Sequence, residues 1–266
     1  ADFAYEGARS VSGPFLALLG ASGLVAGAVG GLGELLGYTL RLFSGRWADR
    51  SGRYWMITIL GYVVQMAVVP LLALAGSWQA AAAMMVTERI GKAMRNPPRD
   101  VMLSEAGEIM GRGWAFGVNE ALDQLGAFAG PLVVAAVLAF RHDYRLAFVW
   151  LAVPAVMVLL LVLAARFVFP YASDIRHDAG PRSGDGHPRA FWWYAAASAL
   201  VAFGFADYAL IAFHFAKTHV VPADVIPIAY AFGMLAGGAG SLLFGKLYDH
   251  MGLKILLPLT LLGALF

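Results

Sequence analysis

A run of charged residues at helical spacing stands inside an otherwise apolar part of the chain. Its members are Glu88, Arg89, Lys92, Arg95 and Arg99. Residues three or four positions apart share one face of an α-helix, so this run predicts a charged face with Arg89 beside it. Ionised groups are costly in hydrocarbon and therefore face a protein interior or a water-filled cavity. The run predicts a polar path inside a membrane-embedded helix.

A second polar face follows about thirty residues later. It consists of Asn119, Glu120, Asp123 and Gln124. If this helix runs antiparallel to the first, Asp123 lies at a depth similar to that of Arg89. We expect Asp123 or Glu120 to pair with Arg89 or Lys92, because ion pairing is the least costly way to keep such groups in a membrane.

These charges have two interpretations. In the structural one, the ion pairs fix the register of neighbouring helices. In the functional one, Arg89 and Lys92 contact an anion or act in gating, and carboxylates that have lost solvent exchange protons near neutral pH. The candidate proton carriers are Asp2, Glu6, Glu120, Asp123 and Asp207. The candidate pathway also includes Arg9, Glu34 and Glu88.

Several other chemistries lack the residues they need. There is no cysteine, and the six histidines are scattered without a metal-ligand spacing. No nucleophile elbow, Walker A loop or His-Glu-x-x-His motif occurs. The sequence therefore predicts no catalytic residue, no metal site and no cofactor. A formal net charge of +2 is also too small to indicate a nucleic-acid partner.

The composition indicates a polytopic membrane protein. Hydrophobic residues make up 60% of the chain and charged residues 14%, and the mean hydropathy is +0.70. Soluble domains have about 45–50% apolar and about 25% charged residues. A helix needs about 20 residues to cross the hydrocarbon core. Spans of this length are predicted at 2–19, from the break at 20–23 to Phe43, at 55–75, from Trp78 to Pro97-Pro98, and at 114–140, 147–169, 191–216 and 226–244.

The spans are divided by one long polar segment. Residues 170–190 have no apolar periodicity, so they predict a linker between a first bundle at 1–169 and the start of a second at 191–266. Ile255–Phe266 begins a ninth helix that reaches only about 18 Å. We therefore expect the chain to be truncated at both ends.

The basic residues predict the orientation. The loops after the second, fourth, sixth and eighth spans hold far more Lys and Arg than the opposite loops, which places them in the cytoplasm. The basic side has Arg41, Arg46, Arg50, Arg53, Arg95, Arg99, Arg112, Arg166, Arg176, Arg182, Arg189, Lys246 and Lys254. The opposite side has Arg141, Arg145 and Lys217.

A short charged connection between the second and third spans is repeated late in the chain. The sequence from Gly45 to Arg53 is Gly-Arg-Trp-Ala-Asp-Arg-Ser-Gly-Arg, which predicts a cytoplasmic hairpin loop. The same spacing returns in Gly245, Asp249 and Gly252. The quartets at 1–4 and 206–209 also match as Ala-Asp-aromatic-Ala. Repeats in the same order indicate two parallel bundles of helices.

The Gly45–Arg53 pattern resembles the loop between helices 2 and 3 of the major facilitator superfamily. The resemblance implies an all-α membrane protein with two parallel six-helix repeats, of which about eight and a half helices are present. In that family the residue at the position of Asp49 makes contacts across the two halves, here with a helix 11 outside this sequence. The implied gating residues are Gly45, Asp49, Arg50, Gly52, Arg53, Gly245, Asp249 and Gly252.

Two further motifs resemble the same family in part. Gly126, Gly130 and Pro131 match the start of the helix 5 antiporter motif, although valines and an alanine replace its trailing glycines. Small residues four apart also favour close helix packing, so both explanations stay open. The segment that begins at Arg89 resembles the helix 4 motif, whose Arg contributes to proton coupling in some members, but its glycine spacing differs.

The resemblance implies a secondary active transporter in the bacterial inner membrane that works by alternating access. We expect it to be a monomer that couples the movement of a small solute to that of protons, and we favour antiport. The alternative is a polytopic sensor or an integral-membrane enzyme. The duplicated loop favours the transporter, because two gated halves need such a loop and an enzyme does not. The mixture of charges does not identify the solute.

Overall fold

The computed structural model describes residues 1–106, 112–170, 192–193, 196 and 208–251, with side chains described outside 106, 112–117 and 240–251. Every regular element in this part of the chain is helical, which confirms the all-α prediction. The elements are α1 (Asp2–Ser10), α2 (Ser12–Leu18), α3 (Gly23–Ser51), α4 (Tyr54–Leu71), a 3-10 helix (Leu72–Leu74), α5 (Trp78–Ala106), α6 (Arg112–Arg141), α7 (Tyr144–Trp150), α8 (Ala152–Val168), α9 (Tyr208–Thr218) and α10 (Val225–Met251).

Four segments of the described part are long and apolar enough to cross a membrane. They are Gly23–Ser51, Tyr54–Leu74, Val118–Arg141 and Tyr144–Val168. Many of their large apolar side chains are exposed, such as Leu35, Leu161 and Phe167. Exposed apolar side chains agree with a position in a membrane, because a spanning helix needs no water-soluble outer face.

The first predicted span is two helices instead of one. Val11 separates α1 from α2 and has φ −121° and ψ 5°, which is not helical geometry. Pro14 lacks the N–H that would bond to the carbonyl of Ser10, and its ring disfavours a continuous helix at this point. The serine hydroxyls on either side bond locally, from Ser10 to the Gly7 carbonyl at 2.7 Å and from Ser12 to the Arg9 carbonyl at 2.9 Å.

The predicted hairpin loop at Gly45–Arg53 is wrong in its length. α3 continues through Gly45 and Asp49 to Ser51, and the turn to α4 is only Gly52 and Arg53. Gly52 has φ +64°, a left-handed conformation that ends the helix and that glycine adopts without steric cost. Arginine and alanine are good helix formers, so the helix extends beyond its apolar portion.

α5 also extends further than predicted, through Pro97 and Pro98 to Ala106. Pro97 has no N–H to donate to the carbonyl of Ala93, four residues earlier. The hydroxyl of Ser44 on α3 donates to that carbonyl at 2.8 Å, and Ser44 is buried. A neighbouring helix thus supplies the missing donor, as is typical of prolines in membrane helices.

Glycines allow the helices of the first bundle to approach closely. A Cβ at Gly61 of α4 would lie 2.8 Å from the Gly91 carbonyl oxygen of α5, and one at Gly91 would lie 2.7 Å from the Gln65 nitrogen. These separations are shorter than van der Waals contact, so no larger residue fits without a shift of the backbone. Close α4–α5 packing brings the charged face of α5 against Gln65.

Several predictions fall outside the described residues. The linker at 171–190, most of the seventh span and the ninth helix lie there, as do Asp207 and Gly252. Gly245 and Asp249 lie within α10, and their side chains are outside the described set.

Candidate functional site

Two guanidinium groups converge on one carboxylate at the centre of the first bundle. Arg9 of α1 and Arg89 of α5 lie 3.3 and 2.7 Å from the same oxygen, Oε1 of Glu34 on α3. Both arginines also donate hydrogen bonds to the hydroxyl of Tyr5. Three helices thus contribute one charged residue each to a single ion cluster, and α1 also contributes Tyr5. We name Tyr5, Arg9, Glu34 and Arg89 the Arg–Glu cluster.

A buried polar chain continues from this cluster along α5. Glu88 accepts a hydrogen bond from Gln65 at 2.6 Å, and Gln65 in turn accepts one from Arg95 at 2.6 Å. Arg95 also donates to the Tyr62 hydroxyl at 3.1 Å and lies 3.6 Å from the Asp2 carboxylate. Arg95 is 1% exposed and Gln65 is fully buried. Each buried charge therefore has a partner, as buried polar groups require.

Lys92 occupies a different environment from its neighbours on α5. Its ammonium lies 3.8 Å from the centre of the Tyr5 ring, and the Arg89 guanidinium lies 5.2 Å from the same ring. Within the described residues, no carboxylate is paired with Lys92. The aromatic face provides a cation–π contact instead.

We had expected Asp123 to pair with Arg89 or Lys92. The structure instead places Asp123 beside Arg99. The Asp123 carboxylate lies 3.9 Å from Arg99 and accepts a hydrogen bond from Asn119 at 3.0 Å. The reason is that α1 packs against α6 through Gly130 and brings Asp2 to the α5 cations. Glu120 accepts a hydrogen bond from Gln124 at 3.0 Å and is exposed.

A cavity of about 50 Å³ adjoins the Arg–Glu cluster. Its polar side is formed by Tyr5, Arg9, Glu88 and Arg89. The remaining wall is largely apolar and includes Leu16, Val29, Val69, Leu72 and Met85. Ala209 of α9, in the predicted second bundle, also lines it. The cavity thus lies between α9 and the helices from α1 to α5, and it combines one charged end with an apolar body.

A contact between the bundles involves a residue that the sequence did not single out. The hydroxyl of Tyr230 on α10 donates a hydrogen bond to Oε2 of Glu6 on α1. Tyr230, like Tyr5, Tyr62 and Gln65, resembles an ordinary packing residue within an apolar helix. Such a residue acquires its role from a charged partner that is far away in the sequence. The spacing of residues along the chain does not reveal that partner.

The expected gating residues lie at the end of α3. The Asp49 carboxylate accepts a hydrogen bond from the Tyr54 hydroxyl at 2.9 Å, across the turn to α4. Arg50 and Arg53 are exposed, whereas Gly45 lies against Pro97, to which a Cβ would be 3.4 Å away. Asp49 therefore braces the turn within the first bundle.

The helix 5 motif packs against α1. A Cβ at Gly126 would lie 2.9 Å from the Phe3 nitrogen, and one at Gly130 would lie 2.0 Å from the Phe3 carbonyl oxygen. Pro131 lies inside α6 without ending it. The two glycines thus let the backbone of α1 sit directly on α6, which accounts for their spacing as packing residues.

The similarity of the chain to known proteins identifies its family. Residues 3–266 match the model of the Major Facilitator Superfamily. Proteins of Mycobacterium tuberculosis and Mycobacterium bovis, both described as uncharacterized, are 42% identical to the chain over 273 residues, which is 100% of the chain and 66% of each relative. An uncharacterized MFS-type transporter of Methanocaldococcus jannaschii is 28% identical over 249 residues, which is 91% of the chain and 61% of that protein.

The chain thus spans about two thirds of the length of its mycobacterial relatives. The family match covers both the first bundle and the helices that follow residue 208. It agrees with the all-helical fold, with the membrane-length helices and with the charged end of α3 that first indicated the family. The chain is a membrane-spanning member of the Major Facilitator Superfamily.

Proposed function

We propose that the chain is part of a secondary active transporter that moves a small solute by alternating access. The observation that carries this proposal is the position of the Arg–Glu cluster. Its charges project from three helices, α1, α3 and α5, beside a cavity that α9 also lines. Solute sites in such carriers lie near the membrane midplane between the two repeats, which rock about the bound solute.

The proposed arrangement follows the repeat. Residues 1–169 form the first bundle, 170–190 a cytoplasmic linker and 191–266 the start of the second bundle. The charged end of α3 and the equivalent end of α10 face the cytoplasm, because most Lys and Arg lie on that side. The transporter is a monomer of the bacterial inner membrane. The hydrogen bond between Tyr230 and Glu6 supports direct contact between the two bundles.

Proton coupling is supported by carboxylates with few or weak partners. Asp123 is 27% exposed at its side chain, and its contact with Arg99 is long at 3.9 Å. Asp2 is likewise 3.6 Å from Arg95. A carboxylate in such a setting can gain and lose a proton without breaking a short ion pair. Antiport is favoured by the part of the helix 5 motif that is present.

Solute-driven proton movement in proteoliposomes tests this proposal. The full-length protein would be reconstituted with an internal pH dye and challenged with carboxylates, amines, sugars, amino acids and aromatic drugs. A solute-dependent change in internal pH would support a coupled carrier and identify its solute class. Folded protein that moves neither a proton nor any solute of the panel would contradict the proposal and favour a sensor.

A further inference from the structure

We infer that the solute is a small organic carboxylate with an apolar body, and that the Glu34 carboxylate occupies the place of the solute's carboxylate when no solute is bound. On this account the carboxylate of the solute displaces that of Glu34 from Arg9 and Arg89. The inference deepens the proposed function and rests on it. It begins with the geometry of the Arg–Glu cluster, in which two arginines share a single oxygen of Glu34.

The two guanidinium groups together have more hydrogen-bond donors than one carboxylate oxygen can accept. A guanidinium group is a planar fork that pairs with both oxygens of a carboxylate. Here Nη2 of Arg9 and Nη1 of Arg89 both approach Oε1 of Glu34, and both arginines also donate to the neutral hydroxyl of Tyr5. Nε of Arg89 lies 3.7 Å from Oε2 of Glu88. A carboxylate that bridges the two arginines with both oxygens would bind them more fully.

Glu34 is the member of the cluster that can leave. Its side chain is 36% exposed, against 22% for Arg9 and 14% for Arg89. Around it α3 is open: among the described residues, no heavy atom of another segment lies within 4 Å of a Cβ built at Gly31 or Gly37. The Glu34 side chain therefore has room to turn towards its exposed side while the arginines stay in place.

Exchange of one carboxylate for another avoids the main cost of opening a buried ion pair. Departure of Glu34 without replacement would take from both guanidinium groups the carboxylate that they share. Loss of one partner from a partly buried ion pair is strongly unfavourable. An incoming carboxylate restores their charge balance. An incoming cation would meet two guanidinium groups, and the nearby Glu88 is already engaged by Gln65 at 2.6 Å.

The cavity specifies the rest of the solute. The arginines lie at its polar end, and beyond them the wall is formed by side chains such as Leu16, Val69 and Met85. Its volume of about 50 Å³ has room for only a few water molecules, so binding of a larger solute must widen it. A polar head with an apolar body matches this lining, whereas a sugar would leave hydroxyl groups without partners.

Binding to the purified full-length protein tests the inference. Benzoate would be compared with benzamide, which has the same shape without charge, and with benzylamine, which is cationic. The readout is the shift of the melting temperature as ligand is added, from which a dissociation constant follows. We expect benzoate to stabilise the protein, and benzamide and benzylamine to have no effect.

The decisive variant is Glu34→Gln. If Glu34 occupies the arginines in about nine molecules of ten, its removal should tighten benzoate binding about tenfold. Arg89→Gln should abolish the benzoate response. Asp224→Asn, which removes a negative charge from the turn before α10, is the matched control and should bind benzoate as the parent does. If Glu34→Gln does not fold, Glu34→Asp, whose shorter side chain reaches the arginines less well, should also bind benzoate more tightly.

Unchanged or weaker benzoate binding in the Glu34 variants would overturn the inference, as would an equal response to benzylamine. The result is separable from the proposed function, because binding in detergent requires no flux. Carboxylate binding by a protein that moves no solute would support the anion site and contradict the transport function. Proton-coupled flux of another solute, without carboxylate binding, would support the transport function and contradict the anion site.

Discussion

The hydroxyl of Tyr230 on α10 donates a hydrogen bond to the carboxylate of Glu6 on α1, 224 positions earlier in the chain. Tyr230 is 3% exposed and Glu6 is 8% exposed. The Tyr230 ring lies 4.4 Å from that of Tyr208, whose hydroxyl donates to the Ile226 carbonyl at 2.5 Å. A charged residue of α1 is thus held by a tyrosine of α10 that packs against Tyr208 of α9.

Tyr230→Phe should weaken the contact between the bundles. The variant keeps the ring but leaves the buried Glu6 carboxylate without this donor, which costs about 1–3 kcal/mol. We expect a lower melting temperature for the purified protein. Tyr38→Phe is the control, because Tyr38 is 62% exposed. Equal melting temperatures for the parent and Tyr230→Phe would show that the hydrogen bond carries no stability.

Ser44→Ala should destabilise the protein because it removes the donor that replaces the missing N–H of Pro97. The unpaired Ala93 carbonyl should cost about 1–3 kcal/mol. The second substitution Pro97→Ala restores an N–H within α5 and should recover much of this loss in a double-mutant cycle. Ser51→Ala, whose hydroxyl bonds to the Trp47 carbonyl at an exposed site, is the control. Additive effects of Ser44→Ala and Pro97→Ala would contradict the account.

Gly130→Ala should disturb the packing of α1 on α6. The added methyl would lie 2.0 Å from the Phe3 carbonyl oxygen, so the helices must separate, at a cost of about 1–3 kcal/mol. Gly37→Ala provides a matched control in α3, where no other segment of the described chain lies within 4 Å. Thermal unfolding in detergent compares the two. Similar melting temperatures would mean that Gly130 is not needed for packing.

Much of this fold follows from the sequence, and its departures have local causes. Apolar length located the four membrane-length segments of the described chain, and the charge spacing on α5 identified Arg89, which lies in the site. The ends of α3 and α5 were misplaced. An apolar run reports where a helix leaves hydrocarbon, not where it stops, and Ser44 allows α5 to pass Pro97. Apolarity also did not reveal the break at Val11.

The partners within the site were harder to predict than its members. Arg9, Glu34 and Arg89 were each identified as charges in apolar spans, but their convergence on one oxygen depends on how α1, α3 and α5 are arranged. Arg89 was expected near Asp123, which instead lies beside Arg99. Tyr5, Gln65 and Tyr230 gave no signal, because an uncharged polar residue in an apolar helix acquires its role only from the helix that faces it.

Asp49→Asn should leave the fold intact and impair the transport cycle. The amide keeps an oxygen that can accept the Tyr54 hydrogen bond but loses the negative charge at the end of α3. We expect unchanged membrane insertion and a transport rate reduced at least about tenfold, equivalent to about 1.4 kcal/mol. Tyr54→Phe separates the two roles, because it removes the hydrogen bond and keeps the charge. Transport by Asp49→Asn at the parent's rate would exclude a gating role.

The most direct measurement is the ratio of protons to solute moved by the reconstituted full-length protein and by its Asp123→Asn variant. Asparagine preserves the shape of Asp123 and its contact with Asn119 but cannot carry a proton. The account predicts that the parent couples solute movement to proton movement and that the variant moves solute with little or no proton flux. The same proton-to-solute ratio in both proteins would contradict the role of Asp123, and a parent that moves no solute would contradict transport itself.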